Sequence, residues 1–275
     1  MSGKSALRPR YLKLHAVLVF AFLFLPIGVL VFFSFNHARS GTDFTGFSTK
    51  WYSALVHNHE ALQAFRNTLK VAISATVVAT VLGTLASFAL TRFKFRGRSG
   101  YSTLIFVSLV MPEVVMGVSL LAFYANIAHM KLGLTTVILA HVTFCIAFVV
   151  VVVNARLASF DNRLVEAAAD LGATPFQTFL RVVLPLAAPG IAAGAMLAFT
   201  ISLDDVVITF FTSGPGSTTL PLYIFSSLKF GVSPSINALS TFVLVFSLIL
   251  LAIGALFSAR SAKRGVTAID VNALG

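Results

Sequence analysis

Charged side chains are scarce in this sequence. They make up 11% of its 275 residues, whereas hydrophobic residues make up 57% of the chain, which contains 27 phenylalanines. A soluble domain has about a quarter of its residues charged. The shortage of charge therefore excludes an ordinary soluble protein and indicates a chain that lies in a lipid bilayer.

Cysteine is nearly absent, and histidines do not cluster. The single cysteine, Cys145, lies inside an apolar run, so the sequence has no disulfide framework and no cysteine pair for a zinc site. His141 stands alone in the same run, which argues against a membrane enzyme. The sequence thus predicts neither catalytic residues nor a metal site.

Acidic residues are few, and Lys and Arg outnumber them by 20 to 9, which gives a net charge of +11. The basic residues occur in short clusters beside apolar runs and form no continuous stripe with interleaved aromatic residues. Nucleic acid is therefore not a predicted partner. Basic clusters in these positions are typical of membrane proteins, where they set the orientation of the chain.

Six apolar stretches are long enough to cross a bilayer, because a helical crossing needs about 20 residues. Runs of this length satisfy their backbone hydrogen bonds in lipid as helices rather than as barrel strands. The predicted fold class is all-α, with a cytoplasmic N-terminus at 1–13, a six-helix membrane domain at 14–259 and a C-terminal tail at 260–275. The stretches cover about 14–35, 68–90, 101–128, 134–154, 187–212 and 236–259.

Basic residues predict the orientation of these helices. Fourteen of the 20 Lys and Arg residues fall in the N-terminus, the loop at 92–98, the loop at 156–186 and the tail, which all lie on one side. The excess of positive charge marks the cytoplasmic side. Both termini and the loop at 156–186 are therefore expected in the cytoplasm.

The loop at 156–186 is far more polar than the stretches on either side of it. Asp161 is placed to cap a first short helix, which Gly172 ends because glycine favours the left-handed conformation of a C-terminal cap. Thr174 and Pro175 form a cap and first-turn pair for a second short helix. Pro185 is expected to stop this second helix before the next span.

This loop also has the composition of a docking surface. Alanines at 167–169 leave a thin helix surface that another protein can approach closely, and Phe176 and Phe179 are expected to be exposed. A loop that only connects two spans has no need of such a surface. We therefore expect a partner protein to bind here.

Three acidic residues fall inside the predicted spans, where a charge is costly and usually serves function. They are Glu113, Asp204 and Asp205. Pro112 removes a helix hydrogen bond beside Glu113, so a kink is expected there. No basic residue lies in these spans to neutralise the acids, which favours a cationic cargo. The alternative, that all three acids only fix helix packing, stays open.

The two aspartates are expected to face different surroundings, because adjacent residues diverge by about 100° around a helix. Ser202, Asp205, Thr209 and Thr212 follow the spacing of one helix face. They predict a polar stripe in which Asp205 lines an aqueous path. Asp204 is predicted to serve helix packing. The candidate path residues are thus Asp205, Asp204, Glu113, Ser202 and Thr209.

Glu166, Ala167 and Ala168 are followed at a fixed spacing by Gly172, Val182 and the pair Leu184-Pro185. This pattern resembles the EAA loop of ABC-importer permeases, with valine where isoleucine is usual. In that family the loop forms coupling helices, which sit in a groove of a cytoplasmic ATPase and transmit its closure to the membrane helices. The resemblance implies ATPase coupling by Glu166, Ala167, Ala168, Asp170, Gly172, Ala173 and Pro175.

Further segments resemble the second permease subunit of bacterial putrescine and spermidine importers, between about Ser34 and Thr241. They include LVMPEVVMGVSLL, LAHVTFC, LAFTISLDDVVITFFTSGPGSTTLP and GVSPSINALST. The resemblance implies a transport subunit of the bacterial inner membrane without covalent chemistry of its own. It also implies three partners: a second, homologous permease, a dimer of ATP-binding subunits and a periplasmic polyamine-binding protein.

ATP and magnesium are expected to bind to the partner ATPase, because this chain has no phosphate-binding loop. The residues SGKS at 2–5 lack the upstream glycine and the strand that such a loop requires. No cofactor is therefore expected in this chain.

Two other transport functions stay open. An importer of another solute, such as an anion or a metal, would need basic residues or helix N-termini along its path, whereas the sequence offers acids. A proton-driven secondary transporter would use those acids, but the sequence shows no internal repeat and the EAA-like loop would lack a purpose. The choice between putrescine and spermidine is also open.

Overall fold

The computed structural model describes residues 9–38, 43–93, 95–159, 161, 163–229 and 231–267, with side chains between 11 and 254. Within these ranges the chain is helical and has no strand, which confirms the predicted all-α class. Several residues used to predict orientation lie outside the described side chains, namely Lys4, Arg8, Arg10, Arg39, Lys94, Arg260, Lys263 and Arg264. The SGKS segment and residues 268–275 of the tail also lie outside the described part.

The helices follow the predicted apolar stretches, with additional short helices in the loops. They are α1 (Pro9–Ser34), α2 (Lys50–Val56), α3 (His59–Arg92), α4 (Arg98–Val110), α5 (Glu113–Ala122), α6 (Leu134–Ala158), α7 (Arg163–Asp170), α8 (Pro175–Thr178), α9 (Leu184–Asp204), α10 (Val207–Thr212), α11 (Leu220–Leu228) and α12 (Pro234–Thr267). A π-helical turn at Phe123–Ile127 extends α5, and another at Phe179–Val183 joins α8 to α9.

Five of the described helical segments are long and apolar enough to cross a membrane: Tyr11–Ser34, His59–Arg92, Leu134–Ala158, Pro175–Asp204 and Pro234–Gly254. The predicted third span is not one straight helix, because α4 and the extended α5 meet at a bend of 113°. Met111 and Pro112 are extended there, and proline supplies no N–H to continue the helix. The described chain therefore has five candidate spans, or six if the bent pair crosses as one broken span.

Two expectations for the fifth span are wrong. A continuous helix over 187–212 is interrupted, because α9 ends at Asp204 and Asp205 adopts an extended backbone with φ −63° and ψ 132°. Pro185 also fails to stop the preceding helix. The π-helical turn shifts the hydrogen-bond register before Pro185, which places the proline in the first turn of α9, where its missing N–H is tolerated. Helical structure thus runs unbroken from Pro175 to Asp204.

The chain divides into two compact units, of which the first contains residues 1–62 and 224–246. In this unit α2 is tied to the end of α1. Trp51 Nε1 donates to the carbonyl of Asn36 at 2.8 Å, and the hydroxyls of Tyr52 and Ser34 are hydrogen-bonded at 2.7 Å. Trp51 therefore lies in a short helix that is anchored to the end of α1.

The second unit contains residues 63–223 and 247–275, and its core is the contact between α6 and α9. The four-residue spacing of Gly190, Gly194 and Ala198 predicts a seam of close helix packing, and the structure confirms it. The backbones approach so closely that a Cβ at Gly190 would lie 2.5 Å from Arg156 Cβ. Ala198 is fully buried beside Cys145, so the cysteine is a packing residue.

The glycine seam generates a test of the fold. Gly190→Ala would force α6 away from α9, because the blocking atom is a Cβ and has no rotamer to escape into. Overpacking of this kind costs about 1–3 kcal/mol, so the purified chain should unfold at a lower temperature in detergent. Gly100→Ala is the control, because a Cβ at Gly100 in α4 meets nothing within 4 Å. Equal midpoints for the two variants would contradict the packing described here.

Candidate functional site

The break between α9 and α10 separates the two aspartates. Asp204 is the last residue of α9, and its side chain is exposed. Asp205 follows in extended conformation, and its side chain is 5% exposed. The extended residue turns the second carboxylate into the protein while the first remains on the helix surface. The two acids therefore have different surroundings, as predicted. The cause is the break in the helix, and not the angle between adjacent residues on one helix.

The carboxylate of Asp205 caps the start of α10. It accepts hydrogen bonds from the backbone N–H of Ile208 at 3.2 Å and of Thr209 at 2.9 Å, and from the Thr209 hydroxyl at 2.9 Å. A short helix inside a membrane needs partners for its first N–H groups, because lipid supplies none. Asp205 provides those partners.

His141 of α6 completes a buried polar cluster around the break. Its Nδ1 lies 2.7 Å from Ser202 Oγ, and its Nε2 lies 2.9 Å from Thr209 Oγ1 and 3.3 Å from Asp205 Oδ2. The His141 side chain is 2% exposed, and Ser202 and Thr209 are also buried. The cluster therefore links the end of α9, the break and the first turn of α10 to one point on α6.

Asp204 faces a groove of about 360 Å³ instead. The walls are largely apolar and come from α3, α9 and α12, with polar groups at Thr76, Thr200 and Ser247. Among the described residues, no Lys or Arg lies within ion-pair distance of the Asp204 carboxylate. The groove is lined by Thr76, Ala195, Met196, Phe199, Thr200, Leu203, Asp204, Ser247, Leu250 and Leu251.

A second helix break carries the third acid. Glu113 is exposed and is the first residue of α5, directly after the bend at Pro112. α5 packs against α10 so closely that a Cβ at Gly117 would lie 2.7 Å from Phe211 Cδ2. Glu113 therefore lies at the start of the helix that contacts α10, and α10 itself begins after the break at Asp205. The two breaks thus gather three acids in one region.

These positions correct one part of the sequence-based prediction. Asp205 was expected on a polar stripe along an aqueous path and Asp204 in helix packing, but in this chain Asp204 is exposed and Asp205 is buried. Ser202, Thr209 and Thr212 are buried as well, so they form no open stripe. The physical reason is the extended backbone at Asp205, which ends the helical periodicity on which the stripe was based. That any of these residues contacts cargo stays a prediction.

The segment after α10 fixes the far end of that helix. The chain turns around Gly214 and Gly216, with Gly216 at φ +74°. Asn67 Nδ2 donates to the carbonyls of Gly216 and Thr218 at 2.9 and 3.0 Å. Thr136 Oγ1 donates to the carbonyl of Thr212 at 2.8 Å. α10 is therefore held at its start by Asp205 and at its end by the hydrogen bond from Thr136 of α6, while Asn67 of α3 holds the segment that follows.

The polar loop folds as its local signals predict. Asp161 Oδ1 accepts from the N–H of Arg163 at 2.9 Å, at the start of α7. Gly172 ends α7 in the left-handed region with φ +81°, and the N–H of Ala173 returns to the carbonyl of Ala168 at 3.0 Å. Thr174 and Gln177 then form a reciprocal capping box at the start of α8.

The loop has an inner and an outer face. Phe179 was expected to be exposed, but it is half-buried against Phe88 of α3, with the ring centroids 4.6 Å apart. On the outer face, Phe176 is 70% exposed and Leu171 is 89% exposed. Of the predicted coupling residues, Ala168 and Ala173 are half-buried. The others are exposed, namely Glu166, Ala167, Asp170, Gly172 and Pro175.

Sequence reasoning missed two residues. The sequence predicts an isolated histidine at position 141, whereas His141 has three partners that lie 61 to 68 positions further along the chain. Its polarity inside an apolar run was the available signal, since such groups seek partners in a membrane. Leu171 was not assigned to the coupling surface. Its position next to Gly172 at the end of an amphipathic helix was the signal there.

Comparison with known proteins places the chain in a family. Residues 63–265 match the family described as binding-protein-dependent transport system inner membrane component. The spermidine/putrescine transport system permease protein PotC of Escherichia coli is 44% identical over 249 residues, which covers 90% of this chain and 94% of PotC. The putrescine transport system permease protein PotI of Escherichia coli is 46% identical over 234 residues, or 83% of each chain.

Solved structures share the fold. A bacterial ABC transporter involved in the import of the acidic polysaccharide alginate is 18% identical, with a TM-score of 0.73 over 91% of this chain and 94% of the other. The MetNI methionine ABC transporter, also 18% identical, has a TM-score of 0.60 over 79% and 99% of the two chains. From the family match and the two close relatives, this chain belongs to the family of binding-protein-dependent transport system inner membrane components.

Proposed function

We propose that this chain is a permease subunit of an ATP-driven importer of putrescine or spermidine. The observation that carries the proposal is the exposed carboxylate of Asp204, which faces a groove with no described basic partner. PotC and PotI, whose names refer to these amines, are 44% and 46% identical to this chain over most of its length. The site and the relatives therefore point to the same class of cargo.

The position of Asp204 increases its attraction for a cation. The C-terminal end of a helix carries partial negative charge from its free carbonyl groups, and Asp204 adds a full charge at the end of α9. Glu113, at the start of the helix that packs against α10, is a further acid of this region. The apolar walls of the groove suit the methylene chain of an amine, while Thr200 and Ser247 offer hydrogen-bond acceptors.

An anionic cargo is less consistent with this site, because three acids would repel it. A proton-driven transporter would leave the loop at Arg163–Val183 without a role, although its outer face exposes Leu171 and Phe176. An exposed apolar surface beside charged residues favours a protein partner. The proposal therefore includes a dimer of ATP-binding subunits, which bind ATP and magnesium and dock on this loop.

The remaining partners follow from the family. We infer that a second, homologous permease completes the path and that a periplasmic protein delivers the amine. The loop and both termini lie in the cytoplasm in this proposal, because most basic residues fall on that side. Labelling of a thiol at position 174 from the outer face of intact cells would contradict this orientation.

One continuous helical segment connects the coupling loop to the site. It begins at Pro175 in the loop and ends at Asp204, 30 residues later. At 1.5 Å per residue this segment is about 45 Å long. Closure of the ATPase would displace the loop, and the segment would carry that displacement to the groove. Alternating exposure of Asp204 requires two conformations of the complex, one open to each side. ATP binding and release must change the difference in free energy between these two conformations.

The coupling role predicts a separation of ATP hydrolysis from uptake in Gly172→Val. A β-branched residue at φ +81° is strained by about 1 kcal/mol or more, and no neighbouring side chain blocks it, so the strain acts on the turn between α7 and α8. Reconstituted complexes should therefore transport fewer amine molecules per ATP hydrolysed. Gly172→Asn should restore most of the ratio, because asparagine tolerates the left-handed conformation.

Gly46→Val is the matched control, because Gly46 has φ +129° and open surroundings but lies outside the loop. Its ratio of amine transported to ATP hydrolysed should equal that of the unmodified complex. A normal ratio in Gly172→Val would contradict the coupling role of this turn.

The cargo site predicts different defects for the two aspartates. Asp204→Asn removes a charge that is exposed in the groove, so uptake per assembled complex should fall about tenfold or more, and further for spermidine than for putrescine. Asp205→Asn should instead lower the amount of assembled complex, since an amide N–H₂ would face the donors that now point at Asp205 Oδ2. Uptake of radiolabelled amines into proteoliposomes, normalised to assembled protein, measures the first effect, and the amount of assembled protein measures the second. Normal uptake by Asp204→Asn would overturn the assignment of the groove.

A further inference from the structure

We propose that His141 is a positioning residue for transport: it holds the break between α9 and α10 so that Asp205 stays inside the protein and Asp204 faces the groove. This proposal rests on the proposed function, which identifies the groove as the cargo site. Its structural basis is the buried cluster of His141, Ser202, Asp205 and Thr209. No other described side chain contacts residues before, at and after the break at hydrogen-bond distance in this way.

One arrangement of protons satisfies every member of the cluster. The Thr209 hydroxyl donates to Asp205 Oδ2, so its oxygen is free to accept from His141. The Nε2 of His141 then carries a proton and donates to Thr209 Oγ1, with Asp205 Oδ2 as a second acceptor. Nδ1 is left without a proton and accepts from the Ser202 hydroxyl. Each hydrogen bond in the cluster then has one donor and one acceptor, and every polar side chain in it has a partner.

The two ring nitrogens have separate tasks in this arrangement. Nδ1 holds the last turn of α9 through Ser202, whereas Nε2 holds the break and the first turn of α10 through Asp205 and Thr209. α6 is a firm base for both, because it packs against α9 along the glycine seam. His141 therefore fixes the angle at which α9 ends, and with it the direction of Asp204.

Loss of the imidazole should release the break. Asp205 would keep its bonds to the α10 amides but lose the donor that faces it from α6. A buried carboxylate with fewer donors is costly, so the break would rearrange to expose Asp205, and the groove beside Asp204 is the open space nearby. Asp204 would then leave its present position. The expected defect is in transport, not only in folding.

Substitution of His141 by amide side chains tests the roles of its two ring nitrogens separately. The side-chain nitrogen of glutamine reaches the position of Nε2, and the shorter asparagine reaches the position of Nδ1. His141→Gln should therefore retain most uptake, whereas His141→Asn and His141→Leu should each lose about tenfold or more per assembled complex. Thr143→Val is the control, because Thr143 is exposed on the same helix and bonds only to Leu139. It should transport normally.

A double variant tests whether His141 acts through Asp205. If it does, His141→Leu combined with Asp205→Asn should yield no less assembled complex than the weaker of the two single variants, because both substitutions disturb the same contact. Multiplication of the two losses would overturn the proposal, because it would mean independent roles. Normal uptake per complex in His141→Leu would also overturn it, as would equal uptake in the Gln and Asn variants.

Thiol labelling gives a readout that does not depend on transport. In a Cys145→Ala chain within the full complex, the thiol introduced by Asp204→Cys should react with 2-aminoethyl methanethiosulfonate. Adding His141→Leu should change that rate about tenfold, whereas the rate at Thr200→Cys, one turn earlier in α9, should stay constant. Equal rates with and without His141 would overturn the positioning role. Failure of the unmodified complex to take up either amine would overturn the proposed function, and the labelling rates would still decide the role of His141.

Discussion

A carboxylate inside a membrane must either be hydrogen-bonded or face a polar space, because lipid offers neither donors nor water. Asp204 and Asp205 meet this requirement in opposite ways. The backbone leaves the helix at Asp205, which lets that acid cap α10 and contact His141, while Asp204 remains on α9 beside the groove. The break in the helix at Asp205 thus leaves one buried acid that fixes the structure and one exposed acid that is available to a cation.

The same interruption joins the other parts of the chain. α9 is the end of a helical segment that begins in the polar loop at Pro175, so the groove and the loop share one rigid element. α10 packs against α5, whose own start carries Glu113 after a second break. Irregular backbone at membrane depth is tolerated where it is buried or lines a cavity. Both breaks fit that condition, and both carry acids.

Features set by neighbouring residues were predictable from the sequence. The caps at Asp161, Gly172 and Thr174 depend on a few adjacent positions, and all three have the predicted geometry. The break at Asp205 and the partners of His141 were not predictable in this way. Periodicity assumes that a helix continues, and it says nothing about a histidine 61 residues away from the serine it contacts. The prediction for Asp205 failed because the backbone leaves the helix at that residue, and the partner of its carboxylate comes from α6, a distant segment.

The central claim is that Asp204, and not Asp205, meets the cargo. A structure of the assembled complex with spermidine bound would test this directly. Our account predicts an ammonium nitrogen within about 3.2 Å of the Asp204 carboxylate, with Asp205 still in contact with His141 and Thr209. An amine bound to Asp205 with His141 displaced, and Asp204 turned away from it, would contradict the account.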